Sequence, residues 1–514
     1  MGVSAMAAIK TAASRKRVSQ LEKIVVKNPV TGQPIGAVPA MAADAVAAAV
    51  ERARRAQPAW EALDAKTRAR LVMRFADLLW AEQKTAIRTV RAETGKTEFG
   101  AWVEVAVLEQ TCIYYHHHGP RLLRPQTRRS LAPFKHRARV YYKPYGVVGF
   151  ITPWNYPLLN GFQDLIPALI AGNTVVLKPS EVTPYTALYA AQLMHRAGIP
   201  QDVMQVVTGD GRTGAALVEY VDYIAFTGST ATGRKIAARA GERLIPCSLE
   251  LGGKDPMIIL RDVDLDLAAS GTLIGTLENA GQVCVGTERI YVEDAIYDQY
   301  IEKLKYYAQQ LVIGAAAGDH VHVGSLTNER ELRRVEEFIA DAVAKGAQVI
   351  FGGRRRPDLG PLFFEPAILV NVDHTMRVMR EETFGPLIPI MRVKDVEEAI
   401  QLANDSDYGL SGSIFTRDLK RGEQLATRIH SGDVTINTTK WVFGSPSLPM
   451  GGVKYSGLGR RNGSEGLLRF VKPQSVLVNW PILDKPEFTL NHWLLIPMHV
   501  LTRRVRWHIP FLRM

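Results

Sequence analysis

The sequence lacks features that would assign it to a specialised class of protein. It has only three cysteines in 514 residues, Cys112, Cys247 and Cys284, and their spacing is not paired. This argues against a disulfide framework and fits a reducing compartment. No stretch approaches the roughly 18 consecutive apolar residues that a membrane-spanning helix needs. We therefore expect a globular, cytoplasmic chain of two or three domains, with 46% hydrophobic and 22% charged residues.

The chain also lacks a concentrated basic surface, although its net charge is +12. The positive residues are spread over segments 121–143, 354–356 and 503–513. No aromatic-interleaved basic motif of a nucleic-acid module accompanies them. The sequence therefore predicts no nucleic-acid partner.

The first 21 residues contain no Asp or Glu and no continuous apolar core. A secretory signal is therefore not expected. The composition leaves a mitochondrial transit peptide and a frayed basic N-terminus open, and we favour the frayed N-terminus.

There is no internal repeat and no low-complexity linker. Instead, strand patterns alternate with helix patterns, which indicates βαβ units and a parallel sheet. The predicted helices are 42–62, 67–79, 184–197, 213–219, 231–240, 296–311 and 329–345, and the predicted strands are 137–142, 146–152, 174–177, 203–207, 223–226, 289–292 and 348–350. The alternation resumes after Cys284, so we expect two α/β halves.

Two glycine-rich turns are candidates for holding a phosphate. Gly209 to Gly214, GDGRTG, matches a dinucleotide fingerprint that is weak on its own, and its acidic partner would be Asp222, which precedes its strand. Segment 226–233, FTGSTATG, offers hydroxyls and a helix N-terminus to an anion. Spacing alone does not choose between them. Upstream, Lys178 and Glu181 end a predicted strand and form a pair suited to a nucleotide ribose.

Three residues could carry chemistry. Glu250 stands among apolar neighbours, which raise a carboxylate pKa toward that of a usable general base. Asn155 lies in a turn between two prolines and could stabilise an oxyanion. Cys284 is either a small core residue or a nucleophile. The run His116 to His118 has no partner at a ligand spacing, so we predict no metal site.

Taken together, these segments resemble the aldehyde dehydrogenase superfamily over about residues 28–479. The motifs PWNYP, GNTVVLKPSE, FTGSTATG, LELGGK, GQVC, EETFGP and PMGGVKYSGLGR stand in the family's order and spacing. GRRNGSEGLLRFV and RPDLGPLFFEP are similar to its succinate-semialdehyde dehydrogenase-like branch. The implied fold is α/β, with a Rossmann-type cofactor domain, an α/β catalytic domain and a small β oligomerisation element.

The resemblance also implies the catalytic roles. Cys284 would attack the aldehyde to give a thiohemiacetal, and Asn155 with the Cys284 backbone N–H would hold the oxyanion. Glu250 would activate the water that hydrolyses the resulting thioester to a carboxylic acid. Two alternatives stay open: an acylating relative that releases the thioester to coenzyme A, and a non-catalytic structural or binding member of the family.

The cofactor implied by the resemblance is NAD, with NADP as the alternative, because the Glu181 carboxylate repels a 2′-phosphate. By the same resemblance FTGSTATG, and not GDGRTG, faces the cofactor. The residues assigned to it are Trp154, Lys178, Glu181, Gly228, Ser229, Gly233, Glu382 and Phe384.

The substrate pocket inferred from the motif spacing comprises Asn160, Gln163, Val283, Val285 and Met450. Met450 stands where many relatives have Phe, and this leaves the aromatic part of the pocket in doubt. Asp255, where relatives often have Ser or Asn, is a lesser departure. No clear pair of arginines is placed to bind a distal carboxylate, so a succinate-semialdehyde substrate is an alternative that the sequence does not secure.

The domain boundaries implied are 1–125 with 145–252 for NAD binding, 253–452 for catalysis, and 126–144 with 468–480 for oligomerisation strands of a homodimer or homotetramer. The tail 481–514 departs from the family and is rich in Trp, Leu, Ile and Arg. It suits a peripheral membrane-surface anchor or an arm that wraps a neighbouring subunit. The membrane interpretation extends to a lipophilic or long-chain aldehyde substrate.

Overall fold

The computed structural model describes residues 22–130, 136–316, 318, 320–480, 497 and 500. The basic N-terminal segment 1–21 and nearly all of the tail 481–514 lie outside the described residues. The hypotheses about a transit peptide, a membrane anchor and a subunit-wrapping arm therefore stay predictions. The chain divides into two units, one of 1–122 with 145–470 and one of 123–144 with 471–514.

The named helices belong to the first unit. They are α1 (Ala43–Ala62), α2 (Ala65–Ala81), α3 (Gln83–Thr94), α4 (Glu98–Leu122), α5 (Leu159–Phe162), α6 (Leu165–Ile170), α7 (Pro184–Arg196), α8 (Gly211–Val218), α9 (Thr230–Glu242), α10 (Leu265–Leu277), α11 (Tyr297–Ala308), α12 (Glu329–Ala344), α13 (Arg377–Arg380), α14 (Val396–Asn404), α15 (Leu419–Ala426) and α16 (Gly463–Leu468). Several begin at a side-chain cap, as where the Asn328 side chain accepts from the Glu331 backbone N–H.

The strands are β1 (Lys23–Lys27), β2 (Pro34–Pro39), β3 (Gln126–Arg128), β4 (His136–Pro144), β5 (Val147–Ile151), β6 (Thr174–Lys178), β7 (Met204–Val206), β8 (Tyr223–Thr227), β9 (Cys247–Glu250), β10 (Asp255–Ile259), β11 (Thr287–Glu293), β12 (Gln348–Phe351), β13 (Ala367–Val370), β14 (Leu387–Val393), β15 (Ser413–Phe415), β16 (Thr435–Ile436), β17 (Gly457–Leu458) and β18 (Val471–Asn479). β1 and β2 form a small antiparallel pair.

Two sheets organise the first unit. One has the order β17-β9-β8-β5-β6-β7 and the other the order β12-β13-β14-β11-β10-β15-β16. Their central pairs are parallel, and β5, β6, β8 and β10 are buried along their whole length. Strands covered on both faces are typical of doubly wound α/β folds. The predicted fold class and its two α/β halves are confirmed.

The core of the second sheet is one continuous apolar cluster, to which β10, β11, β13 and β14 and the helices α10, α11 and α12 contribute. A smaller cluster joins α1 to β5, β8 and β9 of the first sheet. The ends of the predicted strands and helices lie within three residues of the observed ends. The segment between Ala308 and Glu329 lacks a helix among its described residues, so α11 ends before the predicted limit at residue 311.

The second unit contains a three-stranded antiparallel sheet with the order β18-β4-β3. β18 pairs with β4 over its full length, from Val471 opposite Pro144 to Asn479 opposite His136. Most β18 side chains are exposed. The assignment of these strands to oligomerisation, like the other domain boundaries, stays a prediction. None of the described helices is long and apolar enough to cross a membrane.

Candidate active site

The predicted site residues meet at one edge of the six-stranded sheet. Strand β5 ends at Ile151, β6 at Lys178, β8 at Thr227 and β9 at Glu250. Ile151 pairs with Lys178, and Thr227 pairs with Glu250 in parallel register. These are the carboxyl ends of parallel strands, where α/β sheets bind their ligands.

A cavity of about 310 Å³ lies at this edge. It brings together most of the predicted residues, namely Trp154, Asn155, Asn160, Lys178, Glu181, Gly228, Ser229, Glu250, Cys284, Glu382 and Phe384. Residues from sequence positions 154 to 384 thus share one wall, because the loops of both parallel sheets converge there.

Five predicted residues do not line this cavity. Gly233 lies in α9, where a Cβ would come within 2.4 Å of the Leu251 side chain, so it packs the helix against the sheet. Gln163, Val283, Val285 and Met450 are buried. Their role in a substrate pocket stays a prediction.

The loop that carries Cys284 has an unusual backbone. Asn279 and Ala280 have φ angles of 51° and 54°, and Gly281 follows with 76°. A left-handed conformation costs roughly 1–2 kcal/mol for a residue with a side chain. The loop is held by Gln282, whose Nε2 donates to the Asn279 carbonyl at 2.8 Å and whose Oε1 accepts from the Thr327 N–H at 2.9 Å. The Gln of the GQVC motif therefore fixes the loop and leaves Cys284 at the cavity.

Asn155 is fixed from several sides. Its Nδ2 donates to the Gln282 carbonyl at 3.0 Å. The backbone carbonyl of Asn155 accepts from Lys96 Nζ at 2.8 Å and from Asn279 Nδ2 at 3.0 Å. An amide nitrogen has two hydrogens, so one N–H remains to meet an oxyanion in the cavity.

Lys96 owes its position to Glu104. The two form a fully buried ion pair with Nζ and Oε1 2.5 Å apart. Glu104 Oε2 also accepts from the backbone N–H groups of Leu158 and Leu159, at 2.9 and 3.0 Å. The pair thus supports the loop that holds Asn155. Sequence reasoning missed it, because no local pattern marks a contact between a loop residue and a helix residue.

Glu250 lies at the end of β9 with both carboxylate oxygens buried and without a hydrogen-bond partner among the described residues. Burial raises the pKa of this carboxyl to about 7, while Arg461 opposes that rise. Gly451 borders it closely, since a Cβ there would lie 3.0 Å from Glu250 Oε1. An unpartnered carboxylate with a pKa near 7 is suited to take a proton from water.

Burial also raises the pKa of the Cys284 thiol to about 12, and Arg461 again opposes the rise. The thiol therefore needs a base to become a nucleophile. Glu250 lines the same cavity. Of the other cysteines, Cys112 is buried and Cys247 is half-buried, and neither lines the cavity.

The other end of the cavity fits a dinucleotide. Lys178 Nζ lies 3.2 Å from Glu181 Oε2, and the Glu181 side chain is 45% exposed, so both can meet a ribose. Ser229 caps α9 by accepting from the Thr232 N–H, and both residues line the cavity. A helix N-terminus of this kind suits a pyrophosphate.

Glu382 and Phe384 are held in a loop by a buried ion pair. Lys254 Nζ lies 2.8 Å from Glu288 Oε2, and Glu288 accepts from the backbone N–H groups of Thr383 and Phe384 at 2.7 and 2.8 Å. Glu382 Oε1 accepts from the Gly253 N–H at 3.1 Å. This explains the first glycine of the GGK segment, because a Cβ at Gly252 would lie 2.7 Å from Glu382 Oε2.

The Phe384 ring stands edge-on to Trp154, with centroids 5.5 Å apart. The two rings form a wall suited to a flat heterocycle, while Glu382 can accept from ribose hydroxyls. The residues present therefore fit a nicotinamide dinucleotide.

The two glycine-rich turns differ in what they offer. FTGSTATG gives Gly228, Ser229 and Thr232 to the cavity, whereas GDGRTG gives only Gly211. Asp222 is engaged elsewhere, since its Oδ2 accepts from the Val147 N–H at 2.9 Å and from Arg54 at 2.6 Å.

Arg461, a further residue that sequence reasoning missed, lies buried behind the cavity. It donates to Asn160 Oδ1 at 3.2 Å, to Asp164 Oδ2 at 3.1 Å and to Thr227 Oγ1 at 3.0 Å. Arg469 pairs with Asp164 at 2.5 Å. The two adjacent arginines of GLGRRNG were the available signal, but nothing local shows which of them is buried.

The three adjacent histidines do not converge on a metal site. The His116 ring contacts the Ala69 carbonyl at 3.2 Å and stands edge-on to the ring of His117. No group of three or more metal-ligating side chains occurs in the part of the chain that the structure describes.

A doubly wound sheet whose strand ends hold a thiol, a carboxylate without a partner among the described residues, and groups that fit a nicotinamide dinucleotide has the features of a nicotinamide-dependent dehydrogenase. The model of the aldehyde dehydrogenase family matches residues 16–476. The chain belongs to this family, which confirms the resemblance found in the motifs.

Three similar members of the family differ in the activity that their names give. A Mycobacterium ulcerans protein, provisionally named as an NADP(+)-dependent succinate-semialdehyde dehydrogenase, is 44% identical over 87% of this chain and 86% of its own. Glutarate-semialdehyde dehydrogenase of Pseudomonas aeruginosa is 42% identical over 87% of this chain and 92% of its own. The crystal structure of NAD-dependent aldehyde dehydrogenase from Sinorhizobium meliloti is 34% identical, with a TM-score of 0.87 over 91% of this chain and 93% of that one.

The predicted class of enzyme and its cofactor are thereby confirmed. The chain is an oxidoreductase that converts an aldehyde to a carboxylic acid with NAD or NADP.

Proposed function

We propose that this enzyme oxidises a short semialdehyde, with Cys284 as nucleophile, Asn155 as oxyanion donor and Glu250 as the base for hydrolysis. The observation that carries the proposal is the unpartnered Glu250 carboxylate in the same cavity as the Cys284 thiol. Water is the acceptor this arrangement favours over coenzyme A, since a base is present to activate it.

In the first step, Cys284 Sγ bonds to the aldehyde carbon and its proton passes to Glu250. The carbonyl oxygen becomes an oxyanion, which the free N–H of Asn155 Nδ2 stabilises. When bound, the nicotinamide ring supplies the acceptor for a hydride, so that a thioester remains on Cys284.

Glu250 first releases the proton of Cys284 to solvent, which restores its ionised form. In the second step, Glu250 takes a proton from water as the water oxygen attacks the thioester carbon, and this proton then passes to Cys284 Sγ. The C–S bond breaks, the acid leaves, and the thiol of Cys284 is restored. Burial of Glu250 favours this role, because a pKa of about 7 leaves the carboxyl about half ionised near neutral pH.

A semialdehyde is favoured by the polar wall of the cavity. Asn160 Oδ1 accepts from Arg461, and Asn160 Nδ2 is buried without a partner among the described residues. Two arginines, Arg461 and Arg469, share the single carboxylate of Asp164. The cavity therefore offers a hydrogen-bond donor backed by an excess of positive charge, which suits a distal carboxylate. The names of the two similar semialdehyde dehydrogenases support the same substrate class.

For the cofactor we propose a preference for NAD. The Glu181 carboxylate can accept from both ribose hydroxyls, and it would repel a 2′-phosphate. The predicted assignments of Trp154, Lys178, Ser229, Gly228, Glu382 and Phe384 to the cofactor are part of the same proposal. So are the cofactor, catalytic and oligomerisation segments, and a homodimer or homotetramer formed through β18.

The substrate proposal is tested with aldehydes matched in length. Succinate semialdehyde and glutarate semialdehyde should exceed butanal and pentanal in kcat/KM by about ten- to a hundredfold, since a charge-assisted hydrogen bond contributes about 1.5–3 kcal/mol. Asn160→Leu should remove most of this difference and leave the neutral aldehydes nearly unaffected.

The same panel tests the lipophilic alternative. A higher kcat/KM for decanal than for either semialdehyde would overturn the semialdehyde proposal and favour the long-chain aldehyde that the tail 481–514 suggested. Formation of an acyl-coenzyme A product in place of the free acid would contradict the role of Glu250.

A further inference from the structure

Arg461 carries a charge in a buried position, where solvent does not stabilise it. Its side chain is 1% exposed, and its guanidinium lies among Asn160, Asp164 and Thr227 at 3.0–3.2 Å. A buried charge is expensive unless it is paired, so a structural purpose alone would be served at lower cost by an apolar side chain.

The contacts of Arg461 converge on the surroundings of Glu250. Thr227 is the partner of Glu250 in the parallel register of β8 and β9. Neighbouring strands lie about 4.8 Å apart, so the residue that accepts from the guanidinium stands one strand away from Glu250. The Arg461 N–H donates to the Met450 carbonyl at 2.7 Å, and the Met450 N–H donates to the Arg461 carbonyl at 3.0 Å. Gly451, the residue after Met450, lies against Glu250 Oε1.

The same guanidinium fixes the amide of Asn160. An arginine can only donate hydrogen bonds, so Oδ1 of Asn160 must face it. Nδ2 then points elsewhere, and no protein acceptor meets it among the described residues. Since Asn160 lines the cavity beside Glu250, its donor is available to a water or a substrate oxygen.

The charges facing Glu250 come from three elements of the fold. Arg460 and Arg461 lie after β17, Arg469 follows α16, and Asp164 lies between α5 and α6. Arg461 is the largest of the opposing charges on both Glu250 and Cys284, and it favours the ionised form of each. Asp164 acts on Glu250 in the opposite direction. Glu382 and Asp255 also act on Cys284, and both disfavour its ionisation.

We propose that Arg461 is a positioning residue for Glu250, which favours the ionised form of this carboxylate in a buried site and holds Thr227 and Asn160 beside it. The inference rests on the proposed function of Glu250 as the base for hydrolysis. Asp164 sets the strength of the effect, because it neutralises part of the charge that Arg461 brings.

The test follows the hydrolysis of the acyl-enzyme that p-nitrophenyl acetate forms, because an activated ester acylates a thiol without any cofactor. In Arg461→Gln the acid limb of the deacylation rate should move up by about one pH unit, since a nearby unit charge has an effect of this order. At pH 7 the rate should fall about fivefold and recover by pH 9. Arg461→Lys keeps the charge, so its acid limb should stay near that of the unsubstituted enzyme.

Asp164→Asn should move the acid limb in the opposite direction, to lower pH, which loss of packing alone does not predict. Arg289→Gln is the matched control. Arg289 is equally buried and is bound to backbone carbonyls of Lys254, Leu402 and Ala403, away from Glu250. Its substitution should lower thermal stability and leave the acid limb unchanged.

Two results overturn the proposal. One is an acid limb that stays in place in both Arg461→Gln and Asp164→Asn, and the other is a uniform loss of rate at every pH. Cys284→Ala separates this failure from that of the proposed function. If Cys284→Ala still releases p-nitrophenol in an acylation burst, the catalytic assignment itself is wrong. If it is inert and the limbs do not move, only the role of Arg461 is wrong.

Discussion

The two ends of the cavity differ in the protein groups that line them. The reaction end holds the half-buried Cys284 and the buried Glu250 and Asn160. Glu250 and Asn160 have polar atoms without a protein partner among the described residues. The nucleotide end consists of a helix N-terminus, glycine backbone and the half-exposed Glu181. A buried group feels a single charge strongly, whereas binding at an exposed surface is shared among many weak contacts. We therefore expect substitutions at the reaction end to change kcat by large factors and those at the nucleotide end to change cofactor affinity by small ones.

The largest effect should come from Cys284→Ala. It removes the sulfur that bonds to substrate, so turnover should fall by at least about a thousandfold, toward the background of the uncatalysed reaction. Steady-state NADH formation measures it. Cys247→Ala is the control, since Cys247 lies outside the cavity and should leave kcat within about twofold. Full activity in Cys284→Ala would show that the reaction end lies elsewhere.

Glu250→Gln should have the next largest effect. A positioned general base contributes about 10²–10⁴-fold, so steady-state turnover should fall within that range. Hydride transfer does not require the base for water, and loss of the base for Cys284 slows acylation without preventing it. One equivalent of NADH per site should therefore still form, more slowly, before the reaction stalls. A stopped-flow trace at high enzyme concentration shows both phases. A burst of normal size with normal steady-state turnover would exclude Glu250 from hydrolysis.

The pH dependence of kcat should reflect the pKa of Glu250, which burial raises to about 7. The base is active when ionised, so kcat should rise with pH and level off above about 8. Between pH 8 and pH 6 the ionised fraction falls about tenfold, and kcat should fall with it. Rates measured across buffers of constant ionic strength check this. A flat profile down to pH 5 would mean that the carboxylate keeps its ordinary pKa.

Glu181→Gln should have the smallest effect and should act on binding. Removal of the carboxylate relieves the repulsion of a 2′-phosphate, so the ratio of kcat/KM for NADP to that for NAD should rise about three- to tenfold. kcat with saturating NAD should change less than twofold. Initial rates with each cofactor measure both. A large loss of kcat would contradict the division between the two ends.

Much of the fold could be predicted from the sequence because it follows from local patterns. The buried strand β6 and the helix α7 that follows it are visible as an apolar run and a helical periodicity. The proposed nucleophile, its base and the oxyanion donor could be predicted because they stand in motifs that resemble those of the family, and their roles stay predictions. The backbone of the Cys284 loop could not, since two consecutive left-handed residues with side chains are set by tertiary contacts and not by propensity.

The supporting residues escaped prediction for a similar reason. Arg461 contacts Asn160 and Thr227, which lie 301 and 234 positions away along the chain. Glu104 reaches the backbone of Leu158 across 54 positions. Neither distance leaves a trace in the spacing of neighbouring residues, so only the folded chain shows which charges serve the site.

Gly281 gives the reaction end a fixed dimension. Its φ is 76°, and a Cβ there would lie 2.1 Å from the carbonyl oxygen of Gly385, the residue after Phe384. The loop that carries the nucleophile thus rests directly on the loop that carries the aromatic wall, with no side chain between them. This contact sets the distance between the two loops, and even one added methyl group at Gly281 would change that distance.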